Sequence, residues 1–310
     1  MRVITVTLNP ALDKTASLER LRPGELNRLR DVVVDAGGKG INVSKMIAAL
    51  GGESLATGFV GGGSGEEIIR SLSAIGIRHD FIRVAAATRT NLKVLDRGGG
   101  LTELNEPGPR IDSAEFRSLL EKLDALASSD ALFVFSGSLP DGLGPQTYAD
   151  MIRQVHQAGA KAFLDADGAS FAQALVAKPD FIKPNRFELL QYFGLDSDDG
   201  TEDLLPFCRG LLDKGIGRIA VSMGDKGALF VSHEDAFLCP GLAVSARSSV
   251  GAGDSMVGAI AHAAVSGLSW RDTASLAMAA SAGAVTTVGT KPPSRELVDG
   301  LLPRVRFTAL

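Results

Sequence analysis

ALFVFSGSLPDGLGPQTYADMIRQVHQAGAKAFLDA, residues 131–166, decides the fold. Residues 131–135 and 161–166 are short runs of apolar, β-branched and aromatic residues, the composition of buried strands. Between them, residues 145–158 carry the apolar periodicity of an amphipathic helix. The same alternation continues on either side. RVITVTL (2–8), DFIKP (180–184) and RIAVS (218–222) are strand-like, and 40–50, 66–75, 113–127 and 204–214 are helix-like. Alternation of this kind predicts a mostly parallel sheet covered by helices on both faces. Ligands in such sheets bind where the carboxyl ends of the strands lead into loops. Two Ala-rich segments, 252–266 and 270–284, are predicted as closely packed helices.

Composition narrows the possibilities. The chain has 310 residues, 45% of them apolar, and a net charge of −4, enough for a sizeable core. No Lys/Arg cluster is dense enough for nucleic acid, and no apolar run reaches the ~18 residues of a membrane span. A cytoplasmic location is expected, with neither nucleic acid nor membrane as partner. Cys208 and Cys239 lack metal-ligand or disulfide spacing, so two free thiols are expected. A single domain over 1–310 is expected, with two inserted segments, about 14–36 and 88–106. These alternate polar and apolar residues without helices of their own. They are expected to form a small sheet outside the main one, a lid that also pairs with a second copy.

The polar motifs fall at the strand ends. In SSVGAGDSMVGAI (248–260) a helix begins near Ala252. Its first N–H groups lack intrahelical partners, and Gly251 and Gly253 leave them open to an anion. Asp254 in that first turn is expected to be a carboxylate at pH 7, although an acid there is also an ordinary helix start. In VDAGGKGINVSK (34–45), Lys39 supplies a point charge suited to phosphate, and Asn42 offers both a donor and an acceptor. Asp13, after the Asn9-Pro10 turn, can accept from sugar hydroxyls. In IKPNRFELL (182–190), Lys183 precedes Asn185 and Glu188, which share a helix face. That pair suits either the waters of a Mg²⁺ ion or a capping box. Ser222, Gly224 and Gly227 form either a hairpin turn or a loop over phosphates. Ser138 ends another strand, and Arg89 offers a phosphate fork. The dinucleotide fingerprint fails at Met256, and the P-loop pattern fails because Lys39 is followed by Gly40.

The order NPxxD, GGKGxN, TRxNxK, SGSLP, KPNxxEL, SxGxxGA and GAGD resembles the PfkB (ribokinase-like) carbohydrate kinases over about 290 residues, the span of the motif pattern. TLNPALD, AGGKGINVSK, TRTNLKV, NEPGP, KPNRFEL and SVGAGDSMVG are similar to the hexose-phosphate branch of that family. The resemblance implies a three-layer α/β/α fold with a mostly parallel central sheet plus a small β-sheet lid. It implies ATP-dependent phosphorylation of fructose 1-phosphate to fructose 1,6-bisphosphate. Phosphorylation of tagatose 6-phosphate or fructose 6-phosphate is the alternative, and a non-catalytic sugar-phosphate sensor is the more distant one.

The resemblance also implies roles. Asp254 would take the proton of the attacking hydroxyl, and Gly251, Ala252 and Gly253 would form the anion hole. Asp13, Gly38 and Asn42 would hold the sugar. Lys39, Arg89 and Ser138, helped by Arg28, would hold its phosphate. Lys183, Asn185, Glu188, Ser222, Gly224 and Gly227 would line the nucleotide site, with Mg²⁺ held through water by Asn185 and Glu188. K⁺ binding is a family trait, but the pair that usually precedes the glycine is here Ser249-Val250. A base of ordinary strength, pKa ~4, would suffice because proton transfer can be late.

Overall fold

A computed structural model describes residues 1–195, 203–247, 250–287 and 289–310. The first third of the chain holds β1 (Arg2–Thr7), β2 (Ala11–Leu18), β3 (Arg30–Gly37), α1 (Lys39–Ala49), β4 (Ser54–Gly61), α2 (Gly62–Ala74), β5 (Arg78–His79), β6 (Ile82–Val84), β7 (Arg89–Asp96) and β8 (Leu101–Asn105). The middle holds α3 (Ser113–Leu126), β9 (Ala131–Ser136), α4 (Thr147–Gln157), β10 (Lys161–Asp165), α5 (Gly168–Ala174), β11 (Phe181–Ile182), α6 (Arg186–Tyr192), α7 (Leu205–Asp213) and β12 (Arg218–Ser222). The remainder holds β13 (Ala228–Val231), β14 (Ala236–Cys239), α8 (Ala252–Val265), α9 (Trp270–Ala284), α10 (Arg295–Leu301) and β15 (Thr308–Ala309).

The main sheet runs β15-β14-β13-β12-β11-β10-β9-β1-β4-β5, with β6 also on β4. From β12 to β5 neighbouring strands are parallel, and the β13–β15 edge is antiparallel. Strand parity separates two apolar layers. Phe133 and Phe135 of β9 face α3, α4 and α7 through Leu123, Ile152 and Leu211. Leu132 and Val134 face α1, α8 and α9 through Met46, Val257 and Ala277. Both faces of β9 are therefore buried, which is why it is a continuous apolar run rather than an alternating one. The three-layer α/β/α arrangement is the expected one.

The second sheet has four strands in the order β3-β2-β7-β8, with β2 and β7 parallel and the outer pairs antiparallel. It starts at Ala11, ahead of the expected residue 14. Residues 19–29 form a loop rather than strand. The chain passes between the two sheets four times, at 8–10, at Gly38, at 85–88 and at 106–112. Val32, Val33, Val34, Leu101 and Leu104 of the small sheet are exposed. Cys208 and Cys239 are buried free thiols. No helix among the described residues is long and apolar enough to cross a membrane.

Candidate active site

The carboxyl ends of β10 to β12 and the start of α8 surround a cavity of about 780 Å³. Ten of the residues singled out in the sequence line it: Lys39, Lys183, Asn185, Glu188, Ser222, Gly224, Gly227, Ala252, Gly253 and Asp254. Gly251 is the N-cap of α8 with φ 82°, and Ser255 N donates to Gly251 O. The N–H groups that follow Gly251 in the first turn have no partner one turn earlier, so they are available to an anion in the cavity. The opposite wall is apolar, with Leu242, Val244, Met278 and Val285.

The loop after β12 is a tight hairpin in which Met223 N donates to Gly227 O at 2.8 Å. A Cβ on Gly227 would lie 2.0 Å from Cys239 O, so only glycine fits. Asn185 forms an isolated parallel bridge with Ser222, which brings the hairpin against the start of α6. There the capping box forms: Asn185 Oδ1 accepts from Glu188 N at 2.8 Å, and Glu188 Oε2 accepts from Asn185 N at 2.9 Å. Burial raises the Glu188 pKa above its ordinary value. No group of three or more His, Cys, Asp or Glu among the described residues could enclose a metal ion. The carboxylates of Asp165 and Glu188 both stand at the cavity wall.

Asp165, at the end of β10, was not singled out in the sequence. It is 2% exposed and lies between two ammonium groups, 3.2 Å from Lys183 Nζ and 3.7 Å from Lys39 Nζ. Burial alone would raise its pKa, but the two lysines hold it below the ordinary value. In return Asp165 raises the Lys39 pKa, against the effect of burial. Lys39 thus stands beside Asp165 at the cavity wall.

Asp254 is half-buried in the first turn of α8. Asn42 Nδ2 donates to its Oδ2 at 2.8 Å, a contact between α1 and α8. The two helices pass close enough because Gly258 has no side chain; a Cβ there would stand 2.7 Å from Met46 Cβ. Burial, and then the negative charge of Asp165, push the Asp254 pKa up to about 6, against the Asn42 bond and the two lysines. The expected pKa near 4 is therefore corrected upward. The sequence could not supply this shift, because Asp165 and the buried surroundings reach Asp254 only through the fold.

A second polar group lies where β2 and β7 pair. Asp13 Oδ1 accepts from Asn91 Nδ2 at 2.9 Å, and Lys93 Nζ is 3.6 Å from Asp13 Oδ2. Arg89 donates to Asn9 O at 3.1 Å and to Glu106 O at 3.2 Å. Asn9 Nδ2 donates to Pro107 O at 3.0 Å and to Ser138 Oγ at 3.4 Å. These bonds join the chain crossings between the sheets. Gly38, at a fourth crossing, has φ 111°. Asn9 Oδ1, Asn42 Oδ1, Asn91 Oδ1 and Arg89 Nε are buried with no hydrogen-bond partner among the described residues. Buried polar groups left open in this way are costly unless a ligand satisfies them. Arg28 is exposed on the loop between β2 and β3, and it shares no hydrogen bond or ion pair with this group among the described residues. Ser249, half of the pair bearing on a K⁺ site, lies outside the described residues.

The family model of pfkB family carbohydrate kinases matches residues 6–297. The chain is 36% identical to a 1-phosphofructokinase of Rhodobacter capsulatus, over 100% of this chain and 98% of that one. It is 34% identical to a 1-phosphofructokinase of Vibrio cholerae, over 100% and 97%. Among solved structures, phosphofructokinase-2 from Escherichia coli in complex with fructose-6-phosphate superposes with a TM-score of 0.91 at 28% identity, over 98% of both chains.

Proposed function

Because the chain belongs to the pfkB family of carbohydrate kinases and is an ATP-dependent sugar-phosphate kinase, we propose that it phosphorylates fructose 1-phosphate to fructose 1,6-bisphosphate. The choice of sugar rests on the two relatives, both named 1-phosphofructokinases, aligned over the whole chain. Fructose 6-phosphate is the second reading, supported by the ligand of the solved neighbour.

The observation that carries the chemistry is the position of Asp254, bonded to Asn42 at the wall of the cavity. In this reading ATP fills the cavity, with its base on the apolar wall and its phosphates toward Lys183 and α8. The sugar lies against Asp13, Gly38 and Asn42, and Arg89 and Ser138 hold its phosphate. Asp254 takes the proton of the C6 hydroxyl as that oxygen bonds to the γ-phosphorus; the bond to the bridging oxygen breaks, and ADP leaves. Charge on the equatorial oxygens meets the N–H groups of Gly251, Ala252 and Gly253. Lys39, whose ammonium stands 3.7 Å from Asp165 at the cavity wall, would neutralise the transferring group as well as the sugar phosphate. A base near pKa 6 is still mostly ionised at neutral pH and is stronger than an ordinary aspartate. When bound, Mg²⁺ neutralises phosphate charge, and Asn185 and Glu188 would hold it through water. Potassium is assigned no residue.

The chain is proposed to act as one domain, with the small sheet closing over the sugar and its exposed valines pairing with a second copy. The test of substrate is ADP release with fructose 1-phosphate, fructose 6-phosphate and tagatose 6-phosphate. The highest kcat/KM is expected for fructose 1-phosphate; a higher value for either 6-phosphate overturns that choice.

A further inference from the structure

A second cavity, of about 200 Å³, lies between the turn at 175–177, the last turn of α6 and the end of α7. Two of its lining residues, Lys178 and Lys214, stand just ahead of β11 and β12, at the amino ends of those strands. The catalytic cavity opens at the carboxyl ends, so the two are separate. Leu175, Leu211 and Ile216 supply a buried apolar floor, and Tyr192 is a wall. No carboxylate lines the cavity among the described residues. Neither ammonium group has a hydrogen bond or ion pair among them. Lys214 Nζ lies 5.6 Å from the centre of the Tyr192 ring. Asp180, close to Lys178 in sequence, is engaged instead by His156 and by Ala162 N.

Lys178 is also strained. It sits in left-handed backbone, φ 54° and ψ 61°, and is one of two non-glycine residues with positive φ among the described residues. Glycine would hold that turn without the steric cost that a Cβ brings. A lysine retained there points to a use for its side chain. Its stem runs over Gly215, where a Cβ would come within 2.9 Å of Lys178 Cδ. The bare backbone beside Lys214 thus gives Lys178 its course along the cavity.

Two unpaired cations above an apolar floor match a compact anion with a short carbon chain. The volume is about a quarter of the catalytic cavity's 780 Å³, too small for a nucleotide. We infer that this cavity is a regulatory site for a short-chain organic phosphate, its phosphate held by Lys178 and Lys214 and its carbon chain on Leu175, Leu211 and Ile216. The effect passes through α6. Tyr192 ends that helix at the cavity, and the Asn185–Glu188 capping box begins it at the catalytic cavity, about 10 Å away at ~1.5 Å per residue. A ligand that fills the gap under the last turn braces the helix and with it the capping box, which favours nucleotide binding. The coupling rests on Asn185 and Glu188 serving the nucleotide, as proposed above.

The experiment titrates 3-phosphoglycerate into the full chain by calorimetry, with the catalytic site filled by the preferred sugar phosphate and a non-hydrolysable ATP analogue. Inorganic phosphate and glycerate are the control probes, Lys178→Gly and Lys214→Met the variants, and thermal melts check folding. The native chain is expected to bind 3-phosphoglycerate at one site, more tightly than either control. Each variant is expected to weaken it about tenfold or more, the loss of a charge-assisted bond. Lys178→Gly should melt no earlier than the native chain, because the strain is gone. In steady state 3-phosphoglycerate should lower the native ATP KM about fivefold or more, and leave it unmoved in both variants. No binding to the native chain, or native affinity in both variants, overturns the site. Inorganic phosphate binding as tightly as 3-phosphoglycerate reduces it to an adventitious ion only. Binding that the variants abolish, with the native ATP KM unmoved, overturns the regulatory role. A native ATP KM in Asn185→Ala overturns the nucleotide reading on which the coupling rests.

Discussion

Replacing Asn42 by leucine should move the pH at which the enzyme loses activity. In the native chain Asp254 is pushed up to about 6, and the bond from Asn42 Nδ2 at 2.8 Å opposes that rise. Leucine has nearly the same volume, cannot donate and keeps water out. A hydrogen bond to a charged group contributes about 1.5–3 kcal/mol, which at about 1.36 kcal/mol per pKa unit is roughly 1–2 units. The Asp254 pKa should therefore rise to roughly 7–8. The sign is that of an acid whose charged form has lost support: the active carboxylate is present above the pKa and disappears as pH falls through it. At pH ~7 the ionised fraction drops from about nine-tenths to between about a half and a tenth, and it returns by pH ~9. The assay is kcat/KM for the sugar phosphate from about pH 5 to about pH 9. The inflection is the readout, because any pH-independent loss of sugar contact changes only the height of the curve. An acid limb still near pH 6 in the variant refutes the argument that this bond sets the strength of the base.

Three further outcomes follow from the geometry. Asp254→Asn should lower kcat by about 10²–10⁴ while ATP binding by calorimetry is unchanged, since only the proton acceptor is removed; near-native turnover refutes the base. Gly258→Leu forces α1 away from α8 where a Cβ already comes within 2.7 Å of Met46 Cβ. It should cost about 1–3 kcal/mol in thermal stability and shift the acid limb upward as Asn42 leaves Asp254; an unchanged limb separates helix packing from the base. Val33→Glu charges an exposed apolar strand of the small sheet. It should lower the solution mass, measured by light scattering, from two copies to one; an unchanged mass places the copy-to-copy contact elsewhere.

The elements were legible where local pattern and tertiary role agree. The strand at 218–222 and the helix from 113 come out within a residue, because apolar period, strand length and the Asp112 cap coincide. β4 was not legible. Its SLATGFVG run is broken by glycines whose reason lies in another strand, since a Cβ on Gly58 would meet Thr7 O at 1.9 Å. The site divides in the same way. Asp254, Asn185, Glu188 and the hairpin glycines stand out as motifs. Asp165 is only one more acid at a strand end until Lys39 and Lys183, far from it in sequence, converge on it. Asn91 and Lys93 stand in the TRTNLKV motif, but their contacts with Asp13 exist only once β2 lies beside them. Charge balance of this kind is a property of the assembled site, so the raised pKa of Asp254 could not be read from its neighbours in the chain.

In the proposed closure over the sugar, the four crossings between the sheets would make the small sheet a lever. Arg89, Asn9, Glu106 and Pro107 are bonded together at its base, where the sugar is proposed to bind. β7 rises from there for 8 residues to the turn at Arg97–Gly100, an arm of about 26 Å at roughly 3.3 Å per residue. A tilt of about 10° at the fulcrum sweeps that turn through roughly 4–5 Å along such an arm. In the proposed closure, ångström-scale adjustments around Asn9 and Arg89 would be magnified at the far rim.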